Sequence, residues 1–178
     1  MTETTSSESK SFEATRVHQW WAGLRGDSER KRPGDPGALA ELRRCSTALE
    51  VQMVPAFEAL VRAMPNAHLE SLAVAAAVVS HVREHDGGAR VAEQLAQTGA
   101  GSVPAMSPLR FRRFLQVEGA TERIAAGTRL VRQLQGRINV LDLASSLYWW
   151  DTQEDVQRRW ARSYYSKLPR EILTKSKE

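Results

Sequence analysis

Cysteine is almost missing from this 178-residue chain: Cys45 stands alone, so no internal disulfide can form and no cysteine-based metal site can be completed. Phosphate cradles are missing too. No glycine-rich loop ends in Lys-Ser/Thr, and no Gly-x-Gly-x-x-Gly follows a strand pattern, which removes the usual seats for nucleotide hydrolysis and dinucleotide chemistry. The longest apolar stretch, residues 72–79, is far short of the roughly 20 residues a membrane helix needs. Residues 1–11 are polar and lack the basic start and apolar run of a signal peptide, so the chain is expected to be cytoplasmic. Alternating strand patterns and internal repeats are not found either.

Chemistry-bearing clusters fare no better. His81 and His85 lie four apart on what periodicity reads as one helix, but no Glu-x-x-His element joins them, and a solvated helix end explains the pair. The carboxylate pairs Glu154-Asp155 and Glu84 with Asp86 fall at expected helix ends, where capping accounts for them. No catalytic residue, metal or cofactor is expected.

Lysine is the last scarcity, and it turns attention to what is present. Of the 25 basic residues 20 are arginine, whose planar fork matches phosphate and stacks on bases. The net charge of +4 is unevenly spread. Residues 1–100 carry 11 Lys/Arg against 13 Asp/Glu, or −2, and residues 101–178 carry 14 against 8, or +6. An arginine-rich basic half points to a polyanionic partner.

Hydrophobic residues at 42% suffice for a globular core, one domain or two small lobes sharing it. The periodicity is helical throughout. Residues 12–24 carry an apolar stripe of Val17, Trp20, Trp21 and Leu24, and residues 25–34 read as a loop. Asp35-Pro36 opens a helix through Leu39, Leu42 and Leu49. Helices over 55–64 and 67–85 follow, the second apolar nearly all round and hence central and buried. A short helix spans 89–98, and the Gly/Ala/Ser/Pro-rich stretch 99–106 marks a lobe boundary. Beyond it lie helices over 107–117, 121–135, 140–150 and 152–168, opened by Ser107-Pro108, Gly119, Asn139 and a Thr152/Asp155 capping box. The expected fold is all-α, a helical bundle with two small lobes. N-terminal helices at 12–100 surround a buried central helix, a C-terminal four-helix bundle fills 107–168, and 1–11 and 169–178 are tails.

At 100° per residue the C-terminal helices sort themselves. Val156, Trp160, Tyr164 and Leu168 fall on one side of the last helix, with Arg158, Arg159 and Arg162 opposite. Phe111, Phe114 and Leu115 oppose Arg110 and Arg113; Leu130, Val131 and Leu134 oppose Arg129 and Arg132. Like charges three or four apart cost a few tenths of a kcal/mol per pair, so their repetition asks for an external anion. Trp160 and Tyr164 belong to the core, whereas Trp149 and Tyr165 point away from their apolar sides and are candidates for an interface.

Four segments, taken in order and spacing, resemble the CasB family. They are Trp20-Trp21-x-x-Leu24, Leu42-Arg43-Arg44, Leu109-Arg110-Phe111-Arg112-Arg113-Phe114-Leu115, and the run from Ile138-Asn139-Val140 through Trp149-Trp150 to Arg158-Arg159-Trp160-Ala161-Arg162-Ser163-Tyr164-Tyr165. The likeness covers residues 12–168. CasB is the small subunit of the type I-E CRISPR surveillance complex, Cascade. The resemblance implies an all-helical, non-catalytic protein that pairs with a second copy of itself beside the backbone and large subunits. It further implies that basic residues help to hold the guide RNA–target DNA hybrid and the displaced strand without reading sequence. Carried onto this chain, the basic patch falls on Arg43 and Arg44, Arg110 and Arg113, Arg129 and Arg132, and Arg158, Arg159 and Arg162, with Lys31 and Arg32 weaker members. Two alternatives remain at this level: an adaptor whose arginines meet only acidic protein neighbours, and a helix-turn-helix regulator built on the Gly119 junction.

Overall fold

The computed structural model describes residues 12–27, 29–97, 103–153, 155–169 and 171–172. The expected tail over 1–11, the first half of the 99–106 boundary and most of the 169–178 tail lie outside them. Among the described residues the regular structure is helical apart from one two-residue ladder and an isolated antiparallel bridge between Asp27 and Arg32. The elements are α1 (Ala14–Arg25), α2 (Pro36–Arg44), α3 (Ala48–Gln52), α4 (Pro55–Ala63), α5 (Leu69–Ser80), β1 (Glu84–His85), α6 (Val91–Ala96), α7 (Pro108–Leu115), α8 (Ala120–Gln133), β2 (Arg137–Ile138), α9 (Val140–Trp149) and α10 (Asp155–Lys167).

The molecule is organised around α5. Every residue from Ser71 to Ser80 is buried, as a helix apolar on all sides must be. Helices α1, α2, α3, α8 and α9 all pack on it, so segments from both sides of the 99–106 stretch supply one apolar cluster. Small residues set the spacing: at Gly127 of α8 an added Cβ would lie 2.8 Å from a Val78 methyl on α5.

Local chemistry explains most boundaries. Asp35 accepts a hydrogen bond from the Ala38 amide (2.8 Å) and Asn139 one from the Asp142 amide (3.1 Å), each capping the helix it precedes. Three expectations are corrected. The helix opened at Pro36 stops at Arg44, because Thr47 and Glu50 form a capping box that starts α3 afresh and leaves Leu49 exposed. The central helix ends at Ser80, not at 85: the Arg83 and Glu84 amides donate to the Gly136 carbonyl and continue into the parallel β1–β2 ladder. That ladder, two residues long on each side, carries too little alternation to read in a sequence. Finally, the Thr152 and Gln153 amides both donate to the Trp149 carbonyl, so Thr152 closes α9 while Asp155 lies inside the first turn of α10.

One charge is deeply buried. Arg123, only 2% exposed, pairs with Asp151 in the turn after α9, and its Nε has no hydrogen-bond partner among the described residues. The pair ties the start of α8 to the α9–α10 junction.

Both features bear on stability. Alanine normally stabilises a helical glycine site by up to about 1 kcal/mol. Gly127→Ala should instead lower the urea unfolding midpoint, at a cost of about 1–3 kcal/mol, because it overfills the α5–α8 contact; a gain in stability would contradict that packing. Asp151→Ala, which strands a buried guanidinium, should reduce the melting temperature more than Arg123→Met, which removes the buried charge altogether.

Candidate nucleic-acid interface

Aromatic packing decides which way α7 faces. Phe111 stacks on Tyr164 of α10 at 3.9 Å between ring centroids, and Phe114 meets Trp150 and Trp160 at 5.2 and 5.4 Å. Trp160 Nε1 donates to Ser146 Oγ (2.8 Å), and the Tyr164 hydroxyl donates to the Met106 carbonyl (2.5 Å). Burial beside Tyr165 pushes that phenol up to about 12, so it stays a donor across the ordinary pH range. With Phe111 and Phe114 held inward, Arg110 and Arg113 are left exposed on the outer side of α7.

Arg110 and Arg113 meet Arg129 of α8 across a cavity of about 400 Å³ with an apolar floor that includes Met106, Phe114 and Leu130. Arg132, one turn further along α8, lines a different cavity of about 540 Å³ with Arg43, Arg83, His81 and Gln135. Residues i and i+3 of a helix are neighbours, so the exposed edge of α8 carries positive charge from one cavity to the other. Among the described residues no carboxylate lines either cavity.

The electrostatics of the second cavity are those of crowded cations. Burial, with the guanidinium groups of Arg25 and Arg83 close by, holds Arg43 below its ordinary value. His81 is driven down to about 4 by burial and by Arg132 and Arg43, so its ring is neutral at pH 7. Arg43 is anchored: its Nε donates to the carbonyl of Ser80, the last residue of α5 (2.8 Å).

The remaining arginines expected at the interface are placed differently. Arg158 lines a third cavity together with Glu118 and Asp151, so its surroundings are mixed in charge. Arg44, Arg159 and Arg162 are exposed, form no ion pair among the described residues, and line none of these three cavities. Trp149 and Tyr165 are half-buried. Trp149 packs against Phe12 and Tyr148, and Tyr165 packs against Phe111 and Tyr164 while its hydroxyl accepts from Arg112 Nε (3.3 Å). Both are thus engaged within the chain, because neighbouring elements cover faces that a single helix leaves open. Trp20 and Trp21 are likewise occupied, donating to the carbonyls of Ala56 and Val82.

Two members of the cavity of about 540 Å³, Arg83 and His81, were not expected in the basic patch. Arg83 is the first basic residue after the α5 run, and no periodicity marks it. His81 and His85 do not share a helix. His85 lies in β1, where its Nδ1 accepts from the Val140 amide (3.1 Å) and its ring meets His18 at 4.6 Å. Among the described residues no group of three or more His, Cys, Asp or Glu could hold a metal ion, and no helix is long and apolar enough to cross a membrane.

Fold and site together define a class: a small helical protein with a cationic face spread over α2, the turn after α5, α7 and α8. The family model for the CRISPR-associated protein Cse2 matches residues 38–165, and the chain belongs to that family. Solved structures agree in fold. A chain of E. coli Cascade bound to a PAM-containing dsDNA target is 18% identical, with a TM-score of 0.61 over 87% of this chain and 95% of that one. CasB from Thermus thermophilus is 22% identical, with a TM-score of 0.60 over 86% of this chain and 97% of that one. Another structure of a Cse2-family protein from Thermus thermophilus is 24% identical, with a TM-score of 0.61 over 86% of this chain and 97% of that one. No curated protein matches the chain.

His81 sets a pH dependence of stability. Its value in the folded chain lies below the ordinary 6.5, so the unfolded chain takes up the proton first. Stability should be full above about pH 6.5 and fall as the pH drops toward 4. Denaturant midpoints measured across that window should show a shallower fall in His81→Gln than in the wild type; superimposable curves would rule out His81 as the cause.

Proposed function

We propose that this protein is the non-catalytic small subunit of a type I-E Cascade, acting in the cytoplasm. In this reading it holds the guide RNA–target DNA hybrid and the displaced strand by sequence-independent arginine–phosphate contacts. Membership of the Cse2 family supports the place in the complex. The observation that carries the nucleic-acid role is the pair of arginine-lined cavities, without a carboxylate among the described residues, joined by Arg129 and Arg132 along α8. An arginine side chain facing another protein's acids needs no such continuity, whereas a strand with a charge at every nucleotide does.

The division of labour is physically economical. Base pairing with the guide supplies specificity, and the protein needs only a channel of positive charge whose counterion release drives binding. Arg110, Arg113 and Arg129 form the inner part of that channel on α7 and α8; Arg43 and Arg132 extend it; Arg158, Arg159, Arg162 and Arg44 add charge outside the two cavities. The apolar floor beneath Arg110 and Arg113 suits the flat face of an unpaired base. A second copy of the chain and the backbone and large subunits of the complex are its proposed neighbours.

The test is target binding against salt by the assembled complex carrying Arg110→Ala, Arg113→Ala and Arg129→Ala. Each lost phosphate contact should reduce the slope of log affinity against log salt by about 0.7 to 0.9. Complex that assembles with all three changes yet keeps both affinity and slope would favour the adaptor reading and sink this one.

A further inference from the structure

We infer that the cavity between α2, the turn after α5 and the C-terminal end of α8 is a seat for one phosphodiester group, gripped by Arg43, Arg83 and Arg132 and proton-linked through His81. The inference rests on the nucleic-acid reading above and goes beyond it by fixing one contact point and adding Arg83 and His81, which no helix periodicity singles out.

Geometry comes first. Three guanidinium groups and an imidazole, from α2, the turn after α5 and α8, converge on one cavity with no carboxylate in its lining among the described residues. Glu84, next to Arg83 in sequence, is turned to Arg137 (3.5 Å), which also holds Asp86 (3.2 Å); with Asp27 and Glu29, Glu84 lines a separate cavity that Arg83 also borders. Arg25 of α1 adds its charge behind Arg43. The arrangement is built rather than splayed. Gly136, at φ +78°, lets the Arg83 stem lie against the backbone, where any Cβ would come within 2.8 Å of Arg83 Cγ. Arg43 is fixed by the Ser80 carbonyl.

Magnitudes favour an anion. The C-terminal ends of α5 and α8 point at this region and each contributes about half a negative charge. Together they offset one of the three guanidinium charges and leave a surplus of about two. At about 540 Å³ the cavity is far roomier than one phosphate requires, since water occupies about 30 Å³ per molecule. A phosphodiester with its sugar uses that space; a free phosphate leaves most of it to solvent.

His81 makes the seat report on itself. Arg43 from α2, Arg132 from α8 and Arg83 just beyond α5 line the cavity with it, all cationic, and burial first, then Arg132 and Arg43, keep its ring neutral. A bound phosphodiester cancels part of that repulsion, so binding draws a proton onto the ring and tightens as the pH falls.

The experiment measures binding of a fluorescent oligothymidylate, in which neither base nor phosphodiester titrates between pH 5 and 8, to the full chain at low salt. Wild-type affinity should rise as the pH drops from 7.5 to 5. Arg83→Gln should weaken binding roughly tenfold, the loss of one charged contact, and lower the salt slope by about 0.7. His81→Gln should keep the affinity at pH 7.5 and lose the rise toward pH 5. Circular dichroism and unfolding midpoints confirm that each variant is folded. Wild-type binding that is flat with pH, or that Arg83→Gln leaves unaltered, overturns the seat while the wider nucleic-acid reading stands. Absence of any binding by the wild type at low salt overturns both.

Discussion

Complete burial of one helix, α5, is the constraint from which the rest of the structure follows. Ten successive buried residues can be satisfied only if apolar surface arrives from every direction. Helices drawn from across the chain supply it. Alanines at 73, 75, 76 and 77, with Gly127 opposite Val78, let those neighbours come close. Each helix that spends its apolar stripe on α5 or on the aromatic cluster of α7, α9 and α10 must turn its polar side outward. The outward positions of Arg110, Arg113, Arg129 and Arg132 are therefore consequences of core packing.

The same helix organises charge at its C-terminal end. Its last residue offers the carbonyl that anchors Arg43, the next is His81, and Arg83 follows two positions on. Cations are favoured at a helix C-terminus, and the end of α8 arrives at the same place. The larger basic cavity thus sits where two helix termini ease the crowding of positive groups. Burial first, and the neighbouring guanidinium groups after it, hold Arg43 and His81 below their ordinary values there. By contrast, Arg123 shows the chain meeting a buried cation with a carboxylate, Asp151, where the role is structural. Two treatments of arginine coexist in one helix, α8, separated by less than three turns.

The chain belongs to the Cse2 family and shares its fold with CasB and with a chain of Cascade. The proposed channel needs breadth and fixed charge, and helices packed on a buried axis supply both. Identity to the solved relatives is only 18–24%, because packing of this kind constrains residue size and polarity more than residue identity.

Much of this was legible from residue order alone. Helical periodicity, the Asp35 and Asn139 caps, the central apolar run and the inward Phe111, Phe114, Trp160 and Tyr164 are local properties, written within one or two turns of chain. The exposed side of each arginine pair was legible for the same reason. Which arginines share a cavity was not. Arg129 and Arg132 read as one pair yet serve different cavities; Arg83 enters only because Gly136 brings residues 83–85 beside 136–138; and that ladder ends α5 early and parts His81 from His85. Trp149 and Tyr165 look free on a helical wheel and are covered by neighbours in space. The order of residues thus dictates the helices, their inner faces and their charge, since each depends on neighbours along the chain. How those charges meet is settled by the packing of helices distant in sequence, which no local pattern records.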